Sequence, residues 1–315
     1  MTVTTKAYIC LTFISIAWGT SWIANKYMLN LGVSPIEISF LRQIIAGLIF
    51  ILYFLLIQKA KLPRLKQLPF LIIMGIITFV FSNAFSNVAL KFIPSGLAAL
   101  IAALYPLFII IIEVSILRKV KLNLFGIIGI ILGFIGISFV TALDHFWIHY
   151  HEIQIDNYFW IGIIVSVFSV LCWSIASINN SHAKIGMNNS YAVGWQMIFG
   201  ALFLFLYIII SPQEQIKAVP FKALWALAYL IIMSNILCFI AFYYSIKHLG
   251  MGVTSLYAYI NPLVTLFLGW LLLSERLTIL TLIGTIITLV GVFFANKSLA
   301  SEKEKIKTIS DSEFM

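Results

Sequence analysis

Apolar residues in this chain neither alternate with polar ones nor form a single stripe. They come in near-continuous runs separated by short stretches carrying Lys, Arg, Pro or Gly. Ten runs are visible, at 7–29, 35–57, 68–90, 93–115, 121–141, 158–182, 190–211, 221–247, 250–273 and 278–297. Runs of roughly 20 residues, wound as helix at ~1.5 Å per residue, match the ~30 Å hydrocarbon core of a bilayer. The lack of alternation argues against the strands of a membrane barrel. No stretch between runs is long enough for a soluble domain. The first run has the position of a signal peptide, but its length and the spans that follow predict a retained helix. The pattern therefore predicts an all-α integral membrane protein with ten transmembrane helices.

Composition agrees. Only 10% of the 315 residues are charged and 62% are hydrophobic, with a mean hydropathy of +1.06. A soluble domain has about 25% charged residues with which to cover its surface. The formal charge of +9 does not point to nucleic acid, because the basic residues gather in short loops and near the C-terminal end. Cys10, Cys172 and Cys238 lie far apart inside apolar runs, which implies neither a disulfide framework nor a metal site.

Taking loops alternately, one face collects Lys6, then Lys59, Lys61, Arg64 and Lys66, then Arg118, Lys119 and Lys121. It also takes Lys184, Lys247 and the tail lysines Lys297, Lys303, Lys305 and Lys307. The other face receives only Lys26, Lys91, Lys217, Lys222 and Arg276. An excess of Lys and Arg marks the cytoplasmic side, so both termini are expected in the cytoplasm and the loop at 142–157 outside.

The two halves repeat. Lys91, Gly96, Leu100, Ala102, Pro106 and Leu107 align with Lys247, Gly252, Leu256, Ala258, Pro262 and Leu263. Gly129 and Gly136 match Gly284 and Gly291 after a one-residue slip, Trp18 matches Trp173, and Gln43 and Gly47 match Gln196 and Gly200. A proline repeated at one place within a helix is informative, because it removes a backbone hydrogen bond. Five spans per half is an odd number, so the second copy enters the membrane upside down. The expected architecture is two inverted five-helix repeats around an in-plane pseudo-two-fold axis, with a site near the midplane. Residues 1–141 form the first repeat, 142–157 an external loop, 158–297 the second repeat and 298–315 a polar cytoplasmic tail.

Three stretches carry a family resemblance: Ala17-Trp18-Gly19-Thr20-Ser21-Trp22, Phe40-Leu41-Arg42, and Pro262-Leu263 followed by Leu273-Ser274-Glu275-Arg276-Leu277. In order and spacing they resemble the drug/metabolite transporter superfamily, specifically its EamA-type members, over about residues 7–297. The resemblance implies a carrier of the cell inner membrane that works without a cofactor. Its cargo would be amino acids, other small metabolites or drugs, usually exported. One departure stands out. The first repeat has Lys119 where the second has Glu275, and Glu113 is not in an equivalent place, so a symmetric acidic pair is not expected.

Polar residues within spans are costly and usually face the bundle interior. Trp18 and Trp22 share a helical stripe with Asn25, Asn83 and Asn87 make another, and Trp173 repeats the idea in the sixth run. Trp195 and Gln196 lie in the seventh run; Tyr105 precedes Pro106, and Tyr259 and Asn261 precede Pro262. These residues predict an aromatic cavity with scattered amides, suited to amino acids or similar solutes that combine polar and apolar parts. Trp near a span end also anchors at the interface, and Asn or Ser between helices also bonds across them. Arg42 lies too deep to reach water easily. It can grip a substrate carboxylate with two hydrogen bonds, or pair with Glu37 or helix carbonyls and serve the structure.

The loop Asp144, His145, His149, His151, Glu152 and Asp156 collects metal-ligand types, but loops gather such residues freely and a solvated loop is the simpler reading. Signatures of an integral-membrane enzyme (His-Glu-x-x-His, Gly-x-Ser-x-Gly) are missing. So are the charged rings of a channel filter. No Asp is buried in a span, so a proton relay has little support and exchange or facilitated diffusion stays open.

Overall fold

A computed structural model describes residues 1–116, 123–141, 157–183, 185–211 and 218–313, and among these every regular element is helical. In chain order the apolar helices are α1 (Val3–Asn30), α2 (Pro35–Ile57), α3 (Leu68–Ala89), α4 (Ser95–Ile116) and α5 (Leu124–Phe139). The second half supplies α6 (Asn157–His182), α7 (Asn189–Ile210), α8 (Phe221–Thr254), α9 (Tyr257–Leu273) and α10 (Ile279–Glu313). Eight are long and apolar enough to cross a membrane. The other two, α5 and α9, have 16 and 17 residues, or about 24–26 Å of helix.

Their starts follow from local chemistry. Ser34 caps α2 by accepting from the Ile36 N–H, with Pro35 in the first turn. Asn123 and Asn188 cap α5 and α7 in the same manner. The helical run from Phe221 to Thr254 is broken at Gly250, whose φ of 78° and ψ of 166° lie outside the helical region. Only glycine holds such a backbone without strain, and the turn falls where the sequence predicts the eighth run to give way to the ninth. Pro106 differs from the expected interior kink: it stands in the first turn of a helix that restarts after a turn at Ala103–Leu104. Pro262 does lie inside α9.

Packing obeys a two-fold exchange of halves. Helix α2 packs on α7, α4 on α9 and α5 on α10, each against its own copy. Helix α1 packs on α8 and α9, and its copy α6 packs on α3 and α4. Small residues allow the closest of these approaches. A Cβ on Gly129 would stand 2.6 Å from the Gly291 backbone oxygen, and one on Gly47 would stand 3.0 Å from that of Gly194. The polarity is inverted relative to a soluble protein. Arg42, Gln43, Asn87 and Asn235 are buried, while Ile45, Leu48, Leu202, Phe203 and Leu206 point outward. This is a multi-pass membrane protein: helices satisfy their own backbone, and apolar side chains meet lipid.

Helix α10 runs on to Glu313, farther than the expected end of the last span. Residues 298–313 contain neither Pro nor Gly, and Ala, Leu, Lys and Glu favour helix.

Candidate functional site

In α3 the α-helical pattern gives way to π-helix over Ile76–Ala84, and in α8 over Leu230–Leu237. These are the same helix in the two repeats. Wider turns displace side chains and release backbone carbonyls, which is why such segments mark functional places. The polar pairs Ser82-Asn83 and Ser234-Asn235 sit within them.

Between the halves lies a cavity of about 120 Å³, roomier than a single water requires. Its wall combines aromatic and polar groups. Trp18, Trp22, Trp173, Phe239 and Tyr257 face Ser21, Asn25, Arg42, Asn83, Asn87, Ser169, Ser234 and Asn261, with Ser82, Ser86, Ala102 and Val170 between them. Among the described residues no Asp or Glu lines it.

The two repeat-equivalent tryptophans meet here. Trp18 and Trp173 lie edge to face, ring centroids 5.7 Å apart at 88°, a favoured arrangement of their quadrupoles. Each indole N–H is satisfied: Trp18 donates to the Ser234 backbone oxygen at 3.0 Å, and Trp173 to the Tyr257 hydroxyl at 2.8 Å. Phe242 packs against both rings. The rings are thus held in place by bonds as well as by contact.

Arg42 is 3% exposed. Its Nε donates to Asn235 Oδ1 at 2.9 Å, and Nη2 donates to the same oxygen and to Ser234 Oγ at 3.0 Å. Nη1 donates to Asn25 Oδ1 at 3.3 Å, and the Asn235 amide returns a bond to the Arg42 backbone oxygen. All these side-chain acceptors are neutral. Around them, Asn87 donates to Ser39 Oγ at 2.8 Å, Gln43 donates to the Phe79 backbone oxygen at 3.0 Å and to Asn83, and Ser86 meets Ser169 at 2.9 Å. The end of the Asn261 amide lies 2.7 and 3.2 Å from the Ser15 and Tyr257 carbonyls, two acceptors that an amide nitrogen there satisfies.

Of the residues singled out in the sequence, Trp18, Trp22, Arg42, Asn83, Asn87, Trp173 and Asn261 come together on this wall. Tyr105 stands behind it, its ring against Trp173 and Tyr257 and its hydroxyl on the Met251 sulfur. Gln196 exchanges amide bonds with Asn180. Trp195 packs between Tyr191 and Phe199, and the Tyr259 hydroxyl accepts from Asn296. Ser21, Ser82, Ser234, Asn235 and Tyr257 were not anticipated. For Ser82, Ser234 and Asn235 the signal was a Ser-Asn pair placed inside an apolar run in both halves; Ser21 and Tyr257 had none.

Away from the cavity, the Glu275 carboxylate accepts from the Ser95 and Gly96 N–H groups and the Ser95 hydroxyl, at 2.8 to 3.2 Å. It thereby caps α4 from the loop after α9. Lys119, at the equivalent place of the first repeat, and the histidine-rich loop from Asp144 to Asp156 lie outside the described residues. Among the described residues no group of three or more His, Cys, Asp or Glu is placed to hold a metal ion.

Comparison with known proteins agrees with this architecture. Residues 5–142 and 160–297 each match the model of the EamA-like transporter family. The uncharacterized transporter YoaV of Bacillus subtilis is 22% identical over 95% of this chain and 99% of its own length. The uncharacterized inner membrane transporter YedA of Escherichia coli K12 is 26% identical over 84% of this chain and 81% of its own. One solved crystal structure, 18% identical, superposes with a TM-score of 0.65 over 92% of this chain and 96% of that one.

Proposed function

Since the chain belongs to the EamA-like transporter family, we propose that it carries amino acids or related small metabolites out of the cell by alternating access around the cavity between its halves. Transport as such follows from the family. The observation that supports the finer reading is the cavity itself, an aromatic and amide-lined space near mid-helix, built by both repeats with their equivalent tryptophans in its wall. Helices paired with their own copies can rock about that site and present it to either side. Trp18, Trp22, Trp173, Asn83, Asn87, Asn261 and Arg42 then touch the cargo. Tyr105, Trp195, Gln196 and Tyr259 support the surrounding helices. The cytoplasmic side is the one carrying the basic loops and both termini.

Counterflow tests this. Purified protein in liposomes preloaded with one unlabelled amino acid at a time should accumulate the labelled form transiently, and Arg42→Ala should lose that overshoot. Folded protein that gave no overshoot with any amino acid would exclude them as cargo and move the search to other metabolites and drugs.

A further inference from the structure

Resting on the carrier reading of the same cavity, we infer that a carboxylate is the group by which cargo is selected, and that an amino group is dispensable. The transported class is organic acids, with amino acids included through their carboxylate. Arg42 is a buried cation on the cavity wall whose side-chain acceptors, Asn25, Ser234 and Asn235, are all neutral. Among the described residues no carboxylate lies within ion-pair distance of it. A buried charge without a counter-charge is costly, and a bound anion supplies the missing partner.

The geometry fits that anion. Nε and Nη2, one of the forked edges of the guanidinium, converge on the single Oδ1 of Asn235. A carboxylate presents two oxygens to such an edge and makes shorter, stronger bonds than an amide oxygen does. Asn235 holds that edge from behind the wall, so a carboxylate takes the edge formed by Nη1 and Nη2, displacing Asn25 and Ser234, the neutral partners that themselves line the cavity. The equivalent position in the second repeat is Trp195, which packs away from the cavity against Tyr191 and Phe199. The site holds one cation, hence one carboxylate.

The same wall works against cations. With no Asp or Glu among the described residues of the lining, an ammonium group meets only hydroxyls, amides and ring faces while standing near Arg42, and like charge disfavours it. The aromatic side formed by Trp18, Trp173 and Phe239 receives the apolar remainder.

The test uses the full-length protein and two matched series. One is phenylalanine, 3-phenylpropanoate, phenethylamine and 3-phenylpropanamide; the other is leucine, 4-methylpentanoate, isoamylamine and 4-methylpentanamide. Binding is read from the unfolding midpoint and tryptophan fluorescence in detergent, and transport from counterflow. In at least one series the acid and the amino acid should both bind and exchange, and the amine and amide should do neither. Asn235→Asp places a permanent carboxylate on Arg42. It should keep or raise the unfolding midpoint while weakening acid binding at least about 30-fold; a purely structural Arg42 would leave binding unmoved. Arg42→Lys should retain weakened binding. The inference is overturned if amine or amide matches the acid, if the amino acid binds and the acid does not, or if no member of either series responds. Exchange of amines would leave the carrier reading standing while removing this one. Acid binding that depends on Arg42 without any exchange would do the reverse.

Discussion

Arg42 and Trp195 occupy equivalent places in the two repeats, yet one lines the cavity and the other lies in an aromatic cluster beside it. The difference is one of partners. Asn25 in α1 bonds Arg42, and its copy Asn180 in α6 bonds Gln196, the residue next to Trp195. Asn235 then completes the shell of Arg42. Asn235→Ala should destabilise the protein by about 1–3 kcal/mol, because it strips a buried donor of its acceptor; thermal unfolding in detergent reads this directly. The residues that the sequence singled out were visible because a polar or aromatic side chain inside an apolar run is expensive and needs a reason. That logic gives depth in the membrane but not the direction a side chain faces. Gln196 and Tyr259 meet the same cost by bonding Asn180 and Asn296, outside the cavity. In runs that are apolar all round, no stripe of periodicity tells which face is inside.

Among elements, a glycine face for close packing on α5 could be anticipated, while its pairing with α10 and the π segments could not. Glycines at 129, 133, 136, 284 and 291 mark a face where backbones approach, and the structure uses them so. Gly129→Val should lower stability by about 1–3 kcal/mol through overpacking against α10. Gly252→Ala, where an added Cβ meets nothing within 4 Å, is the matched control and should leave the unfolding midpoint nearly unchanged. The π segments of α3 and α8 carry no proline or glycine within them, so nothing in the local sequence marks the change of winding; it is imposed by packing. Glu275 is a separate device. It binds the first N–H groups of α4, where the helix dipole favours a negative charge. Glu275→Ala should cost about 1–2 kcal/mol, while Glu275→Gln keeps part of the hydrogen bonding and should cost less. Comparing the two unfolding midpoints separates the contribution of charge from that of the bonds.

For the whole molecule, the charge count and the contacts agree on which loops share an end. Ser245 near the end of α8 donates to the Ala7 backbone oxygen at the start of α1, and Ser298 in α10 donates to Asn123 at the start of α5. Gln67 donates to the Ile185 backbone oxygen, and Tyr191 to that of Lys61, joining the α2–α3 and α6–α7 connections. Every one of these joins segments on the face that holds the excess of Lys and Arg. At the opposite end, Lys26 donates to the Leu90 and Ile93 backbone oxygens and Glu275 reaches Ser95. The charge rule adds what contacts cannot, namely which end faces the cytoplasm. A fluorescent protein fused after either terminus should therefore fluoresce in the cytoplasm, and alkaline phosphatase inserted in the loop at 142–157 should be active outside. The densest basic loop between spans on the face with the excess of Lys and Arg is Lys59, Lys61, Arg64 and Lys66. Replacing all four with Gln should raise the fraction of molecules inserted the other way, visible as phosphatase activity from a C-terminal fusion. If the termini reported from opposite sides, an odd number of spans would follow, and the two five-helix repeats would not both cross the membrane as paired copies.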